Sequence, residues 1–599
     1  MRRRSRTIRL LLLALVVAMI ATVVPSYAGP AAGSNFRVNP YLQNPSGDGM
    51  TITWFTTTRE PGELVVRGPG VRGGVTYTTS PTYEAILAYT DAELTQQIDG
   101  LEQGSWLREG GNYKHTVDVT GLTPGERYAY SVRSGGKTFS AQFTTAPSAD
   151  QWDRIRFVAL SDSETEPRGR VLRREWAPGM LAEGSVDRPR AEQGGTWDGV
   201  FGTSVLSQVR TLNYMVTEDE GYRQNLRIID RRDPDFVVMP GDLVQGGGYQ
   251  PGWDEFFRHN AGELGSGLSH RPILPALGNW ENFGALNGGY GTPGDRTPVV
   301  RGRSKYHAYF DLPGNGTDAH RDNYYRVDYG PITIVTLDSS NGEPDDTPDN
   351  YPADQKATGQ QYNGPGTDTQ NNYTRAEYEA AGGADLADFN PGSTQWNWAE
   401  EQLADARSKG QIVFVDFHHA PFSNGEHGLP MDHQLTSGQG GTPMRQYQPM
   451  FERYGVAAVL SGHSEMFERS FVDEDGDGVG VHYYDVGVAG DGLRGERRNG
   501  TSLNDPLLKY NPFSQWTADQ AEPERWELVN GVPQLVAGGK HYGHLEVNVE
   551  RLGDGARVTM TPVYAFPVLD DAYNVVRTER RVYGDDLVLD LDANGQVRY

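Results

Sequence analysis

The sequence predicts an α/β protein that begins with a β-sandwich and ends with a β-rich region. Residues 36–147 contain segments that alternate apolar and polar residues, such as Met50–Phe55, which is typical of strands with one buried face. From Ile155 onward, apolar strand segments end in polar or charged side chains, and a helical pattern covers Thr394–Ser408. At 599 residues the chain is too long for one hydrophobic core. We therefore expect several domains, with any chemistry in the α/β part.

The first 28 residues have the pattern of a signal peptide. Five arginines lie within the first nine residues, an apolar run covers Leu10–Val24, and Ser26, Tyr27 and Ala28 form a cleavage site. The alternative is an uncleaved membrane anchor, but the run is short for a span that needs about 20 residues. We expect cleavage after Ala28, no stable membrane span in the mature protein, and a secreted, extracellular or cell-surface location.

The charge and the residue types restrict the chemistry. The chain has 79 acidic and 54 basic residues, a net charge of −25, which argues against nucleic acid as a partner. An acidic surface also repels anionic substrates, so an anion site needs local positive charge, most simply from metal ions. The chain has no cysteine, which excludes thiolate ligands, disulfides and cysteine nucleophiles.

A small β-sandwich is predicted over residues 35–147. Tyr128–Val132 and Phe139–Phe143 alternate like strands, with glycine-rich turns between such segments. The segment Gly121–Tyr130 resembles the corner before a late strand of fibronectin type III sandwiches, where a tyrosine fixes the turn. This domain shows no catalytic combination of residues, so we expect it to pack against the next domain or to position it.

Five apolar strands of the α/β part end in side chains that can bind a metal ion. Several of these side chains follow a glycine, which lets the backbone turn tightly and the next side chain project over the sheet edge. In open α/β sheets, ligands bind in the crevice beyond the carboxyl ends of the strands. A further histidine, His427, lies in the loop after the fourth strand. The strand-end residues are Asp162 with Glu164, Asp242, Asn279, His418 with His419, and His463 with Glu465.

These motifs resemble those of the calcineurin-like metallophosphoesterases. Asp242 in Gly-Asp-Leu, Asn279 in Gly-Asn, His419 in His-x-Pro and His463 in Gly-His match that pattern. The preceding β-sandwich makes the purple acid phosphatases the most similar branch of that family.

The resemblance also implies how the chain is divided. A metallophosphoesterase domain, a β-sandwich flanked by helices (αββα), is expected over residues 152–500. A β-rich C-terminal extension, residues 501–599, is expected to complete it. Two segments rich in glycine and proline, residues 165–203 and 341–392, are expected to be loops that shape access to the site.

The resemblance and the side-chain chemistry together indicate two metal ions. Asp242 has two carboxylate oxygens and can bridge two cations, which then clamp the attacking and leaving oxygens of the reaction. Besides Asp242, the predicted ligands of one ion are Asn279, His419 and His463, and those of the other are Asp162, Glu465 and Glu164.

Three further residues are assigned through the resemblance. His427 matches a loop histidine that protonates the leaving group or contacts the phosphate, and with Asp242 it forms the predicted catalytic pair. His418 is a predicted substrate contact, as is Trp280, which replaces the family's usual histidine. Which of the two adjacent histidines binds metal depends on the match to Pro421, and that match favours His419.

Departures from the family pattern bear on the metal. Glu465 stands where the family commonly has histidine, and Glu164 where it often does. Gln245 replaces the metal-binding tyrosine of the purple enzymes, so a purple colour is not expected. An oxygen-rich site suits harder cations better than a nitrogen-rich zinc site would. The expected cofactors are two divalent or mixed-valence ions, with Mn, Fe, Zn, Mg and Ca left open.

The sequence thus predicts a secreted binuclear phosphoesterase of the acid or alkaline phosphatase type. It is expected to hydrolyse small-molecule phosphate esters by attack of a metal-bound hydroxide, with a histidine as general acid. Phosphomonoesters are favoured over phosphodiesters, and the oligomeric state is left open. The alternative is an extracellular metal- or ligand-binding protein that keeps this fold and has lost hydrolysis, because Glu164 and Glu465 depart from the pattern.

Overall fold

The structure is a computed structural model that describes residues 35–168, 171–206, 208–340, 373–429, 439–500 and 505–598. The predicted signal peptide, residues 1–28, and most of the predicted loop over residues 341–392 lie outside the described residues. Across those described ranges, none of the helices has the length and apolar character needed to cross a membrane.

An antiparallel β-sandwich forms the N-terminal part of the molecule. Tyr128 stabilises one of its corners, because its hydroxyl accepts a hydrogen bond from Thr123 N at 2.8 Å and donates one to Pro69 O at 2.9 Å. The elements are β1 (Phe36–Gln43), β2 (Met50–Thr56), β3 (Gly62–Gly68), β4 (Val71–Thr79), β5 (Thr82–Tyr83), α1 (Asp91–Thr95), β6 (Tyr113–Val119), β7 (Arg127–Ser134) and β8 (Lys137–Thr144). Its two sheets have the strand orders β1-β2-β6-β5 and β4-β3-β7-β8.

Buried polar contacts attach the sandwich to the α/β domain. Arg37 of β1 makes a bidentate ion pair with Asp254, at 2.9 and 2.8 Å, and both side chains are buried. Tyr130 of β7 donates a hydrogen bond to Ser269 O at 2.9 Å. Removing one partner of a buried ion pair leaves an uncompensated buried charge, which strongly destabilises the protein. These contacts therefore fix the sandwich against the neighbouring domain.

The remaining strands and helices build the α/β domain and its C-terminal part. The strands are β9 (Arg154–Ala159), β10 (Glu175–Trp176), β11 (Thr203–Leu206), β12 (Val209–Asn213), β13 (Phe236–Met239), β14 (Ile273–Pro275), β15 (Tyr325–Tyr329), β16 (Ile332–Thr336), β17 (Ile412–His419), β18 (Ala458–Gly462), β19 (Phe467–Val472), β20 (Val481–Val486), β21 (Ser514–Thr517), β22 (Arg525–Val529), β23 (Val532–Ala537), β24 (Gly543–Leu552), β25 (Gly555–Leu569), β26 (Val575–Val582) and β27 (Leu587–Leu591). The helices are α2 (Thr196–Val200), α3 (Glu218–Arg232), α4 (Gln250–Asn260), α5 (Thr297–Tyr309), α6 (Arg375–Ala380), α7 (Thr394–Ser408), α8 (Gln448–Arg453) and α9 (Ala518–Ala521).

Two seven-stranded sheets pack face to face in this domain. One has the order β14-β13-β9-β24-β25-β26, with β27 paired to β25, and the other has the order β15-β16-β17-β18-β20-β19-β21. The ring of Phe157 in β9 meets that of Phe414 in β17 edge to face, with 5.1 Å between the ring centres. Helix α3 packs on the first sheet and α7 on the second. The predicted fold class, with its αββα arrangement, is therefore confirmed.

Parallel pairing brings the functional strand ends to one edge. In the first sheet β9, β13 and β14 are parallel, and in the second β16, β17 and β18 are parallel. The sequence favours this because the strands are apolar on both faces, as in the fully buried β13. Helix α3, which lies between β9 and β13 in the sequence, begins with a capping box of Thr217 and Glu220. It ends with Arg231 and Arg232, whose positive charges interact favourably with the helix dipole.

The segment over residues 165–203 is more ordered than the predicted plain loop. It contains β10 and α2, and Trp176 and Trp197 are buried there against Trp526 of the C-terminal part, with ring centres 5.9 to 6.1 Å apart. Composition alone indicates a loop because the segment is rich in glycine and proline. The burial of the two tryptophans explains the order that the structure shows.

Candidate metal centre

Side chains from five strand ends converge at the shared edge of the two sheets. Asp162 follows β9, Asp242 follows β13, Asn279 follows β14, His418 is the next-to-last residue of β17, and His463 follows β18. All five are buried. The parallel strands thus bring residues that are distant in the sequence into one crevice, as expected for such sheets.

The backbone at the acidic and histidine positions is held in a rare conformation. Asp162 (φ 60°), Asp242 (φ 50°) and His463 (φ 78°) lie in the left-handed region, as do Glu164 (φ 39°) and Glu465 (φ 49°). This conformation costs an L-residue about 1–2 kcal/mol. Such strain persists where the surrounding structure enforces it, and it is concentrated at functional sites.

His418 presents a lone pair to two oxygen atoms. Its Nδ1 lies 2.8 Å from the carbonyl oxygen of Pro240, and since a carbonyl can only accept, Nδ1 carries the ring proton. Its Nε2 is therefore unprotonated, and it lies 2.9 Å from Asp242 Oδ2 and 2.9 Å from Asn279 Oδ1. A carboxylate, an amide oxygen and an imidazole lone pair thus face one another.

His463 adds a second lone pair to the same group. Its Nε2 donates to Gln439 O at 2.6 Å, which leaves Nδ1 unprotonated and 3.1 Å from Nε2 of His418. Burial lowers the pKa of His418 and, with the nearby histidines, holds the pKa of His463 well below its usual range. Lone pairs at this separation repel unless a cation lies between them. The donor set therefore fits a metal ion with mixed nitrogen and oxygen ligands.

A second group consists of carboxylates alone. Ligand oxygens of Asp162, Glu164 and Asp242 all lie within 4.8 Å of one another, and the three side chains are buried. Burial raises the pKa of Asp162 to about 7 against the opposing effect of His418, and burial holds the pKa of Asp242 well above its usual range. Buried carboxylates at this spacing need a proton or a cation between them. This group fits a hard divalent ion.

Asp242 belongs to both groups. It forms one cluster with His418 and His463 and another with Asp162 and Glu164. Backbone groups orient it, because Trp280 N donates to its Oδ1 at 2.9 Å. A carboxylate in this position can bridge two cations, which is the role that the sequence predicts for it.

Glu465, a predicted metal ligand, lies beside two arginines. Its Oε2 lies 3.2 Å from Arg174 Nη2 and 2.6 Å from Arg494 Nε, and Arg174 also forms ion pairs with Glu218 and Asp491. A ligand atom of Glu465 does lie within 4.8 Å of those of Glu164 and Asp491. In this arrangement, however, guanidinium groups already balance the charge of Glu465.

The structure places His418, rather than His419, in the nitrogen-containing group. Nδ1 of His419 lies 2.8 Å from Ser339 Oγ, and its Nε2 is buried without a hydrogen-bond partner among the described residues. The pairing of β17 with β18 shifts in register between Asp416 and His419. Matching His-x-Pro to Pro421 does not take this irregularity into account, so the metal-binding role of His419 stays a prediction, while the geometry favours His418.

The two other predicted residues lie beside the groups. The ring of His427 stacks on that of His463, with 4.0 Å between the ring centres. Burial, with the positive charge of Arg494 and then His418, lowers the pKa of His427 to about 3. Trp280 is half-buried, and the contact it makes with the centre is the backbone hydrogen bond to Asp242.

Glu281 is a functional residue that the sequence reasoning did not assign. Its carboxylate accepts hydrogen bonds from Asp242 N at 3.0 Å, Leu243 N at 2.9 Å and Gly278 N at 2.7 Å. It thereby joins the loop that carries Asp242 to the loop that carries Asn279. An acidic residue two positions after Asn279 was the available signal, but its role depends on the second loop.

Two family models match the chain. The model of the purple acid phosphatase N-terminal domain matches residues 36–146, and that of calcineurin-like phosphoesterases matches residues 216–465. Uncharacterized proteins of two Mycobacterium tuberculosis strains are 23% identical over 428 residues, which cover 70% of this chain and 59% of theirs. A probable purple acid phosphatase of Arabidopsis thaliana is 24% identical over 321 residues, 51% of this chain and 58% of its own. The chain thus spans about three fifths of the length of these relatives.

Solved structures show the same fold. PhoD aligns with a TM-score of 0.53 at 12% identity, over 95% of this chain and 93% of its own. Purple acid phosphatase PPD1 from yellow lupin (Lupinus luteus) seeds aligns with a TM-score of 0.50 at 15% identity, over 93% of this chain and 74% of its own.

The fold and the two clusters define a metallophosphoesterase-like protein. More specifically, residues 36–146 match the purple acid phosphatase N-terminal domain and residues 216–465 match the calcineurin-like phosphoesterases, so the predicted resemblance is confirmed. The calcineurin-like part of the chain carries the residue groups that could hold metal ions.

Proposed function

We propose that this protein is a secreted, binuclear metal-dependent phosphoesterase that hydrolyses small-molecule phosphate esters. The observation that carries the proposal is the position of Asp242, whose carboxylate belongs both to the group with His418 and His463 and to the group with Asp162 and Glu164. Secretion is proposed from the signal-peptide pattern over residues 1–28.

The residues present divide into two sets of ligands around Asp242. Asn279, His418 and His463 would hold one ion, and Asp162 with Glu164 would hold the other. When bound, such a pair of ions polarises the phosphoryl oxygens and activates water for in-line attack. The protein orients the ligands through backbone contacts, including those from His463 N to the oxygens of Asp162 at 3.0 and 3.1 Å.

His427 is proposed to stabilise the leaving oxygen. In the structure its ring is neutral at neutral pH, because burial and Arg494 lower its pKa to about 3. A neutral imidazole can donate a hydrogen bond through its N–H group. The negative charge of a bound phosphate ester would raise this pKa and favour the proton transfer expected of a general acid.

The test is the Asp242→Asn variant, assayed on para-nitrophenyl phosphate and on the corresponding bis-ester. Loss of a shared ligand should reduce turnover by at least about a hundredfold and lower the metal content measured by elemental analysis. Asp590→Asn is the matched control, because Asp590 is exposed and contacts Arg557 away from the centre. Unchanged turnover in Asp242→Asn would refute the proposal. The ratio of the two rates decides between monoesters, which we favour, and diesters.

One observation favours a second candidate, an extracellular metal- or ligand-binding protein that has lost hydrolysis. Glu465 is ion-paired with Arg174 and Arg494 at a position where a metal-binding histidine is common in the family. If these arginines replace one metal ion, the chain would bind at most one ion. Elemental analysis separates the candidates, since two ions per chain together with turnover support the enzyme.

A further inference from the structure

Arg494 lies at the point where the metal centre meets a surface cleft. Its Nε is 2.6 Å from Glu465 Oε2, and its backbone N donates to Glu465 O at 3.2 Å. Its positive charge, after burial, also lowers the pKa of His427. Arg494 therefore contacts the carboxylate cluster, and it lines the same cleft as Glu426, the residue that precedes His427.

The backbone before Arg494 is strained. Leu493 is buried and has a φ of 96°, which L-residues rarely adopt. Gly492 precedes it in close contact with the chain, because a Cβ there would come within 2.6 Å of Gly487 O and of Val488 Cα. Strained backbone that is fixed by its surroundings is characteristic of functional sites. The local structure thus fixes the direction from which Arg494 enters the cleft.

The two arginines that contact Glu465 differ in what they can still bind. Arg174 is 16% exposed and forms ion pairs with Glu218, Glu465 and Asp491. Arg494 is 41% exposed, and among the described residues its side chain forms an ion pair only with Glu465, through Nε. Its two terminal nitrogens therefore keep their donors for a ligand. A guanidinium can bind two phosphate oxygens in parallel.

The cleft beside Arg494 is large enough for an organic phosphate ester. Its volume is about 580 Å³, within the range of small-molecule sites. The other cationic residues that line it have partners, since Arg497 contacts Glu426, Lys540 lies 3.6 Å from Asp519, and Arg498 donates to Asp505 O. Of the basic side chains described in the cleft, Arg494 is thus the one that both touches the centre and can accept a new anion.

We propose that Arg494 is a substrate-binding residue that holds the non-bridging oxygens of the phosphate ester beside His427. The organic part of the ester then occupies the cleft. This inference rests on the proposed function, and it concerns binding of the phosphoryl group rather than its activation.

The test compares Arg494→Gln and Arg494→Lys with the metal-loaded wild type. Inorganic phosphate is titrated calorimetrically into each protein, and KM and kcat are measured on para-nitrophenyl phosphate. Loss of one charge-assisted contact should raise the dissociation constant of phosphate and KM by about tenfold or more. The lysine variant should lie between the other two. Arg577→Gln is the control, because Arg577 is 62% exposed on β26 and contacts Glu579.

Each outcome bears on the proposal. Wild-type affinity for phosphate in Arg494→Gln overturns it, as does a wild type that binds no phosphate. Loss of metal from Arg494→Gln would show that the residue stabilises Glu465 instead, which also overturns it. If the wild type hydrolyses no ester, the proposed function fails, but the phosphate titration still decides the role of Arg494.

Discussion

Nε2 of His418 lies 2.9 Å from Oδ2 of Asp242, and the ring proton of His418 is on the opposite nitrogen, Nδ1, which donates to Pro240 O. This relationship distinguishes His418 from its neighbour, whose Nδ1 contacts Ser339. It therefore predicts which of the two adjacent histidines binds the metal ion.

Replacing each of the adjacent histidines by alanine should separate their roles. His418→Ala should lose one metal ion per chain and at least about a hundredfold in turnover, because it removes a proposed ligand. His419→Ala should keep its metal and lose less activity. Elemental analysis and phosphatase assays check this. A larger loss of metal and activity in His419→Ala than in His418→Ala would identify His419 as the ligand.

The contribution of Asp162 and Glu281 to the stability of the metal-free protein should fall as the pH rises from about 4 to about 7. The pKa of Asp162 is raised from 3.8 to about 7, chiefly by burial, and that of Glu281 from 4.5 to about 7, by burial and by Asp242. Between those values these two carboxyl groups hold more protons in the folded chain than in the unfolded chain, so their contribution to the free energy of unfolding decreases with pH. The buried histidines with lowered pKa values act in the opposite direction.

Melting temperatures measured in chelator across this pH range provide the check. Addition of a divalent cation should raise the melting temperature most at the upper end of the range, where the cation replaces the missing protons. Asp162→Asn should remove part of this decrease, and the same pH dependence in the variant and the wild type in chelator would contradict this prediction.

Glu281→Gln should lower the stability of the protein and its metal affinity without removing a proposed metal ligand. The amide would place an NH₂ group among three backbone N–H donors, so at least one donor would lose its acceptor. We expect a loss of about 1–3 kcal/mol in the free energy of unfolding and about 10–100-fold in metal affinity. Urea unfolding and metal titration measure these, with the exposed Glu527→Gln as control. Wild-type values in both would show that Glu281 does not position Asp242.

Gly462→Ala should abolish metal binding for steric reasons. A Cβ at this position would overlap Ser161 Oγ and Asp162 Oδ2, so the strand end before His463 would have to move. Gly199→Ala is the control, because nothing lies within 4 Å of a Cβ there. Metal content by elemental analysis is the readout. A fully loaded Gly462→Ala variant would show that the edge tolerates such a shift.

Secretion can be tested on the protein itself. The sequence predicts that the mature chain begins at Gly29, after cleavage at Ala28. Mass spectrometry of protein recovered from the culture medium should give that N-terminus. Retention of the full chain in the membrane fraction would support the uncleaved anchor instead.

The strand-end residues were predictable because their signal is local. Asp162, Asp242, Asn279 and His463 each follow an apolar run within a few positions, and the rule that parallel strands end at one edge brings them together. The choice between His418 and His419 was not predictable, since it depends on a register shift between β17 and β18.

The ion pairs of Glu465 with two arginines could not be predicted from the sequence either. Arg174 lies 291 residues before Glu465, in a segment whose composition indicates a loop. No local pattern relates the two, and it is tertiary packing, including that of Trp176 and Trp197 on Trp526, that holds the segment in place. Ion pairs of this kind depend on tertiary structure, so the sequence could indicate Glu465 as a ligand but not its partners.

The strand that leads to Asp162 has consequences for biosynthesis. β9 pairs on one side with β24, and Arg156 donates to Asn548 Oδ1 across 392 residues. At about 5–20 residues per second, β24 is synthesised roughly 20 to 80 seconds after β9. Until then the nascent chain has an open sheet edge beside the future centre, and such an edge invites aggregation. We therefore expect the edge that carries Asp162 to be completed only after β24 has joined β9.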